Sequence, residues 1–151
     1  MPEEHYHYDF PNLRHEDWQR TSEPANYNCI AFAAGDVTRF WWPNPFFPEP
    51  SDDFWPTGTP QEETVAAVVL AFSTCGYAPC EDGTLESGVE KVAIYALRDA
   101  VKHAALQQEN GKWRSKLGPH EDIETTLKGL IGPCYGQVVQ FLARPRSVIG
   151  V

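Results

Sequence analysis

Apolar positions Ile30, Ala33, Ala34 and Val37 recur at helical spacing in the stretch "NCIAFAAGDVTRFWW". With Asn28 as N-cap, this pattern predicts a helix that carries Cys29 in its first turn. The next stretch, "PNPFFPEPSDDFWPTGTP", is so dense in proline that it suits neither a helix interior nor a central strand. It predicts a long ordered loop from Pro43 to Pro60, and loops of that length in compact domains usually carry function. A second helix is expected behind it, with Thr59 as N-cap, Pro60 at the first helical position and Val65, Val68, Val69 and Phe72 on the apolar face.

After a turn in "APCEDGTLESG" the period changes. "VEKVAIYAL" reads as a strand, "RDAV" as a turn, "KHAALQQE" as a second strand, and "KWRSKLG" as a third beyond an "NG" hairpin signal. The three form an antiparallel meander. Downstream, Ile123, Leu127 and Leu130 in "HEDIETTLKGLIG" predict a helix, and "YGQVVQFLARP" predicts a last strand. The fold class is therefore α+β, with N-terminal helices packed on a small antiparallel sheet. Residues 1–24 show no sustained period and are expected to form an irregular arm, with "HEDWQRTSE" able to hold a helical turn. Residues 25–151 are expected to form one domain, and a chain of 151 residues suits a single core, since a domain of roughly 150 residues buries about 70% of the surface its unfolded chain exposes.

The formal net charge is −9, which opposes long-range attraction to nucleic acid and anionic lipid. A neutral or cationic peptide or protein is the expected substrate or partner. No run of about 20 apolar residues is present, and the start "MPEEHYHYDF" lacks the basic and apolar regions of a secretory signal, so a soluble cytoplasmic protein is expected. Cys29, Cys75, Cys80 and Cys134 are then expected to be reduced thiols. The spacing of Cys75 and Cys80 departs from the two-residue gap of common zinc motifs, and His5, His7 and His15 read as a solvated tail, so neither metal nor cofactor is expected.

Two residue types stand out. A thiol at a helix start is favoured as thiolate by unpaired amides, and His103 opens the second strand of the meander, so the two supply the nucleophile and proton shuttle of thiol catalysis if they meet in space. This order resembles the papain-like cysteine hydrolases, particularly the compact NlpC-type peptidases. A second resemblance, carried by "YNCIAFAAGD" and "WRSKLG", is to a bacterial family of unassigned function and runs from Tyr27 to Arg144. The papain-like resemblance implies Cys29 as nucleophile and His103 as general base and acid. The residue that orients the imidazole would come from Ser115 or Lys116 on the next strand, or from Asp122 or Glu121 just beyond it. Asn28 or Asn26, with the Cys29 amide, would serve an oxyanion site, and Trp41, Trp42, Phe47 and Trp55 would line the substrate cleft. The expected activity is hydrolysis or acyl transfer at an amide or thioester bond. The alternative is a non-catalytic protein-binding module on the same scaffold, using the acidic surface and the aromatic loop.

Overall fold

Seven antiparallel strands make one sheet in the computed structural model, which describes residues 10–16, 18–22, 27–117 and 122–146. The strands are β1 (Gln19–Ser22), β2 (Ala78–Cys80), β3 (Val89–Leu97), β4 (Ala100–Gln107), β5 (Trp113–Lys116), β6 (Asp122–Thr125) and β7 (Gln137–Pro145), arranged β1-β6-β5-β4-β3-β7-β2. Helices α1 (Cys29–Ala34) and α2 (Val65–Ser73) accompany two 3-10 helices, Pro11–His15 and Lys128–Leu130. The protein is thus α+β.

Both faces of the sheet are covered. On the first, Val92, Ile94, Val101, Ala104 and Leu142 pack under α1, α2, Trp41 and Trp55. On the second, Ala93, Tyr95, Ala105, Trp113 and Ile123 pack under Phe10, Leu13 and Leu130 from the 3-10 segments. Successive residues of β3 serve opposite cores, which is why "VEKVAIYAL" reads as a nearly continuous apolar run. Fully burying each such aliphatic side chain contributes about 1.5–3 kcal/mol.

The expected meander is β3-β4-β5, and Gly111, at φ 88°, takes the left-handed position of the turn that joins the last two strands. Four local readings need correction. The segment expected as a helix from His120 to Gly132 holds strand β6 and a 3-10 turn instead, because Ile123 and Leu130 reach the second core from two different elements. Helix α2 starts later than Thr59, at an N-cap formed by Thr64, whose side chain accepts the Ala67 amide at 3.2 Å. "APC" forms edge strand β2 rather than part of a turn. The expected arm contributes a 3-10 helix and β1, which pairs with β6 at the opposite edge.

One irregularity lies beside the candidate histidine. Tyr95 pairs with His103 but Ala96 pairs with Val101, so Lys102 is an extra residue in β4. This bulge lets Val101 face the first core while His103 faces the second.

Candidate functional site

Helix α1 is short, wholly buried and closely fastened. The Asn28 side chain accepts the amides of Ala31 and Trp41, each at 3.1 Å, and donates to the Trp41 carbonyl at 2.8 Å. Gly35 ends the helix at φ 97°, and a Cβ there would stand 3.1 Å from the Arg144 guanidinium, so this close approach favours glycine. Asn28 is therefore a cap and a clamp on the following segment. Both polar ends of its amide serve this clamp, its oxygen accepting two amides and its nitrogen donating to Trp41.

Cys29 is buried in the first core. Burial pushes its thiol up to about 11, against backbone hydrogen bonds from Ala104, Ile30 and its own residue that favour the thiolate. Desolvation outweighs three amides and a six-residue helix, so the thiol stays protonated at neutral pH.

His103 is fully buried on the other side of β4. Its imidazole stacks on Tyr135, with ring centroids 4.0 Å apart and planes within 5°, and meets Tyr95 edge-on at 5.3 Å. Neither ring nitrogen has a hydrogen-bond partner among the described residues, and burial drives the group down to about 3, which keeps it neutral. The nitrogens that would exchange a proton with Cys29 lie across the sheet from it.

The proposed orienting residues divide in the same way. Ser115 pairs with Ile123 of the second core, and its buried hydroxyl has no partner among the described residues. Asp122, also fully buried, lies on the first face, where it accepts the Tyr27 hydroxyl at 3.0 Å and Arg114 at 3.1 Å. Lys116 is its cross-strand partner, with its ammonium 5.6 Å from the Tyr27 ring centre. Cys29 and Asp122 thus stand on one face and His103 and Ser115 on the other, and the expected triad is not assembled. Asn26, Glu121, His5 and His7 lie outside the described residues. No group of three or more His, Cys, Asp or Glu side chains gathers as a metal site among the described residues.

The expected cleft residues also separate by role. Trp41 and Trp55 are buried anchors. The Trp41 indole donates to Asp36 at 2.9 Å and its ring packs 4.9 Å from that of Phe54; the Trp55 indole donates to the Pro60 carbonyl at 2.8 Å. Trp42 is half-buried against the first core. Burial raises the Asp36 carboxyl, but hydrogen bonds from Thr38, Trp41 and Arg39 outweigh it and hold the group well below the usual carboxylate range. Phe47, by contrast, is 66% exposed and Phe46 is 75% exposed.

Between Phe47 and Trp55 lies a groove of about 640 Å³, bordered by Pro45, Pro60, Asn44 and Gln61. Asn44 shapes it: its amide donates to Gln61 at 2.6 Å, its side-chain oxygen accepts the Phe46 amide at 2.9 Å, and its side-chain nitrogen donates to the Glu49 carbonyl at 2.5 Å. Reading the sequence for aromatic residues missed Asn44 and Gln61. The signal for the first was "NPF", where asparagine before proline bonds its own backbone two residues on; nothing local marked Gln61.

Fold and geometry define an α+β protein with a groove on the aromatic loop and no assembled catalytic pair among the candidates. Residues 18–143 match the model of the family described as Domain of unknown function (DUF7689), and the chain belongs to that family. No curated protein and no solved structure matches it.

Proposed function

We propose that this chain is a non-catalytic protein-binding module that holds a basic, apolar-anchored segment of a partner protein in the groove between Phe47 and Trp55. The observation that carries the reading is that the groove is braced from within, by Asn44 with Gln61 and by Trp55 with Pro60, while two phenylalanines project beside it. Such a surface loses little conformational freedom on binding, and exposed aromatic residues are the usual anchors of an interface. Charge selects the partner. Glu49, Asp52, Asp53 and Glu62 are exposed on or beside the loop, whereas Arg39 is paired with Asp36 at 2.8 Å.

The scaffold proposed for this module is the papain-like, NlpC-type layout, with Cys29 at a helix start packed against a sheet. On that scaffold, amide or thioester hydrolysis draws no support from a protonated Cys29 facing away from His103. A cytoplasmic setting suits the free thiols of Cys29, Cys75 and Cys80. No helix among the described residues is long and apolar enough to cross a membrane.

The test is a fluorescence anisotropy titration with a labelled peptide of alternating lysines and serines around one central leucine. Saturable binding that weakens as salt rises, and that disappears when glutamate replaces lysine, is expected. Equal binding of the lysine and glutamate peptides, or none of either, would overturn the reading.

A further inference from the structure

The second face of the sheet contains a concentration of unsatisfied polar atoms. His103 Nδ1 and Nε2, Gln107 Oε1 and Ser115 Oγ have no partners among the described residues, and all three residues are at most 1% exposed. The Gln107 side-chain nitrogen donates to the Gly83 carbonyl at 2.7 Å, so only its oxygen is left over. Buried polar atoms are nearly always hydrogen-bonded, and several without partners on one face call for an explanation.

Register gathers them. Gln107 pairs with Trp113, His103 with Tyr95 and Ser115 with Ile123, and all three partners belong to the second core. Between His103 and Gln107 on β4 lies Ala105, paired with Ala93 of β3, so the middle of this polar surface is floored by two methyl groups. Among the described residues, β4 and β5 pair only at Leu106 with Arg114 and Gln107 with Trp113, although β4 begins at Ala100 and β5 continues to Lys116. This ladder stops short of His103 and Ser115, and continuing its register sets Ser115 level with Ala105.

Tyr135 covers this region from a short loop. Gly132 and Gly136 exchange backbone hydrogen bonds of 3.1 and 2.8 Å across it. At Gly136, with φ 75°, a Cβ would come within 2.0 Å of the Ala96 carbonyl oxygen, so the base of the loop is seated on β3. The tyrosine ring shows what the imidazole accepts: a flat ring, parallel and in contact.

We propose that His103, Gln107 and Ser115 form a binding site for a small, flat, uncharged molecule that both donates and accepts hydrogen bonds, and that Tyr135 is the lid holding its stacking position. The donor set selects this class. A neutral imidazole offers one donor and one acceptor, Ser115 offers both, and Gln107 offers an acceptor. An ionic ligand would lose its hydration without a counter-charge, since Lys91, on the same face, is committed to Glu86 at 2.6 Å and Asp82 at 3.4 Å.

The experiment is an NMR titration of the full chain with uracil, nicotinamide and toluene, following the His103 ring nitrogens and the methyl groups of Ala93 and Ala105. Uracil or nicotinamide is expected to shift these signals saturably and toluene to leave them unmoved. Tyr135→Ala removes the competing ring and should tighten binding by about tenfold, because the competent state no longer has to be opened. Ser115→Ala should weaken it, with the first-face signals of Val92 and Leu142 unchanged as a check on the fold. Shifts as large with toluene would make the region an apolar void, and no shift in either the native chain or Tyr135→Ala would show that no site exists; either result overturns the proposal.

Discussion

Cys29 and His103 stand on opposite sides of β4, the thiol near the Ala104 amide and the imidazole against Tyr135. In sequence they have the order of a thiol hydrolase, but Cys29 packs at Ala104, and strand alternation points the adjacent His103 to the opposite face. The acid-base chemistry of each group then follows from burial in its own core rather than from the other.

For the thiol, burial raises the value to about 11. Alkylation of the folded chain by iodoacetamide at pH 8 should therefore modify exposed Cys134 well before Cys29, with Cys29 reacting at a rate set by opening of the first core. Peptide mass spectrometry over a time course resolves the two. Rapid labelling of Cys29 below pH 8, slowed by His103→Ala, would contradict the placement of the pair.

For the imidazole the folded value is lowered, to about 3 from an ordinary 6.5, so the folded chain binds the proton more weakly than the unfolded one. Stability from this group is complete above pH 6.5 and falls as the pH drops from 6.5 toward 3, with roughly 2 kcal/mol lost by pH 5. Asp36 has the same sign but a lower window, its contribution falling away only below its ordinary 3.8. Urea unfolding at pH 7 and pH 5 should show the loss in the native chain and a much smaller one in His103→Phe. An equal loss in both would assign the slope to other groups.

Asn28→Ala removes the α1 cap, worth about 1 kcal/mol, and leaves the Trp41 amide and carbonyl without their partner, at about 1–3 kcal/mol each. A total loss of about 3 kcal/mol or more is expected in chemical unfolding. Asn28→Ser, which keeps the cap acceptor but not the donor to Trp41, should fall between. A loss under about 1 kcal/mol for alanine would mean that the clamp is dispensable.

The elements most legible in the sequence were those whose signals are local: the Asn28 cap, the apolar run of β3 and the Asn110-Gly111 turn. The exclusion of helix and central strand from the proline-rich loop was equally local. Burial and face were harder to read. Ile123, Leu127 and Leu130 fit a helical period by coincidence, because strand β6 and the segment around a 3-10 turn deliver them to one core. The bulge at Lys102 leaves no mark in "RDAVKHAAL", yet it puts Val101 on the first face although His103, two residues on, is on the second. The groove was legible in its aromatic residues and not in Gln61, whose bond to Asn44 spans 17 residues.

Comparison of Cys29→Ala with Phe47→Ala in the peptide titration tests the proposed role most directly. Phe47 is exposed and Cys29 buried, so removing the ring should leave stability within about 0.5 kcal/mol while removing an interface anchor. The expected result is native affinity in Cys29→Ala and at least about a tenfold loss in Phe47→Ala, the 1.4 kcal/mol typical of an anchor residue. Unchanged affinity in Phe47→Ala, with loss in a folded Cys29→Ala, would contradict the account and return the function to the thiol.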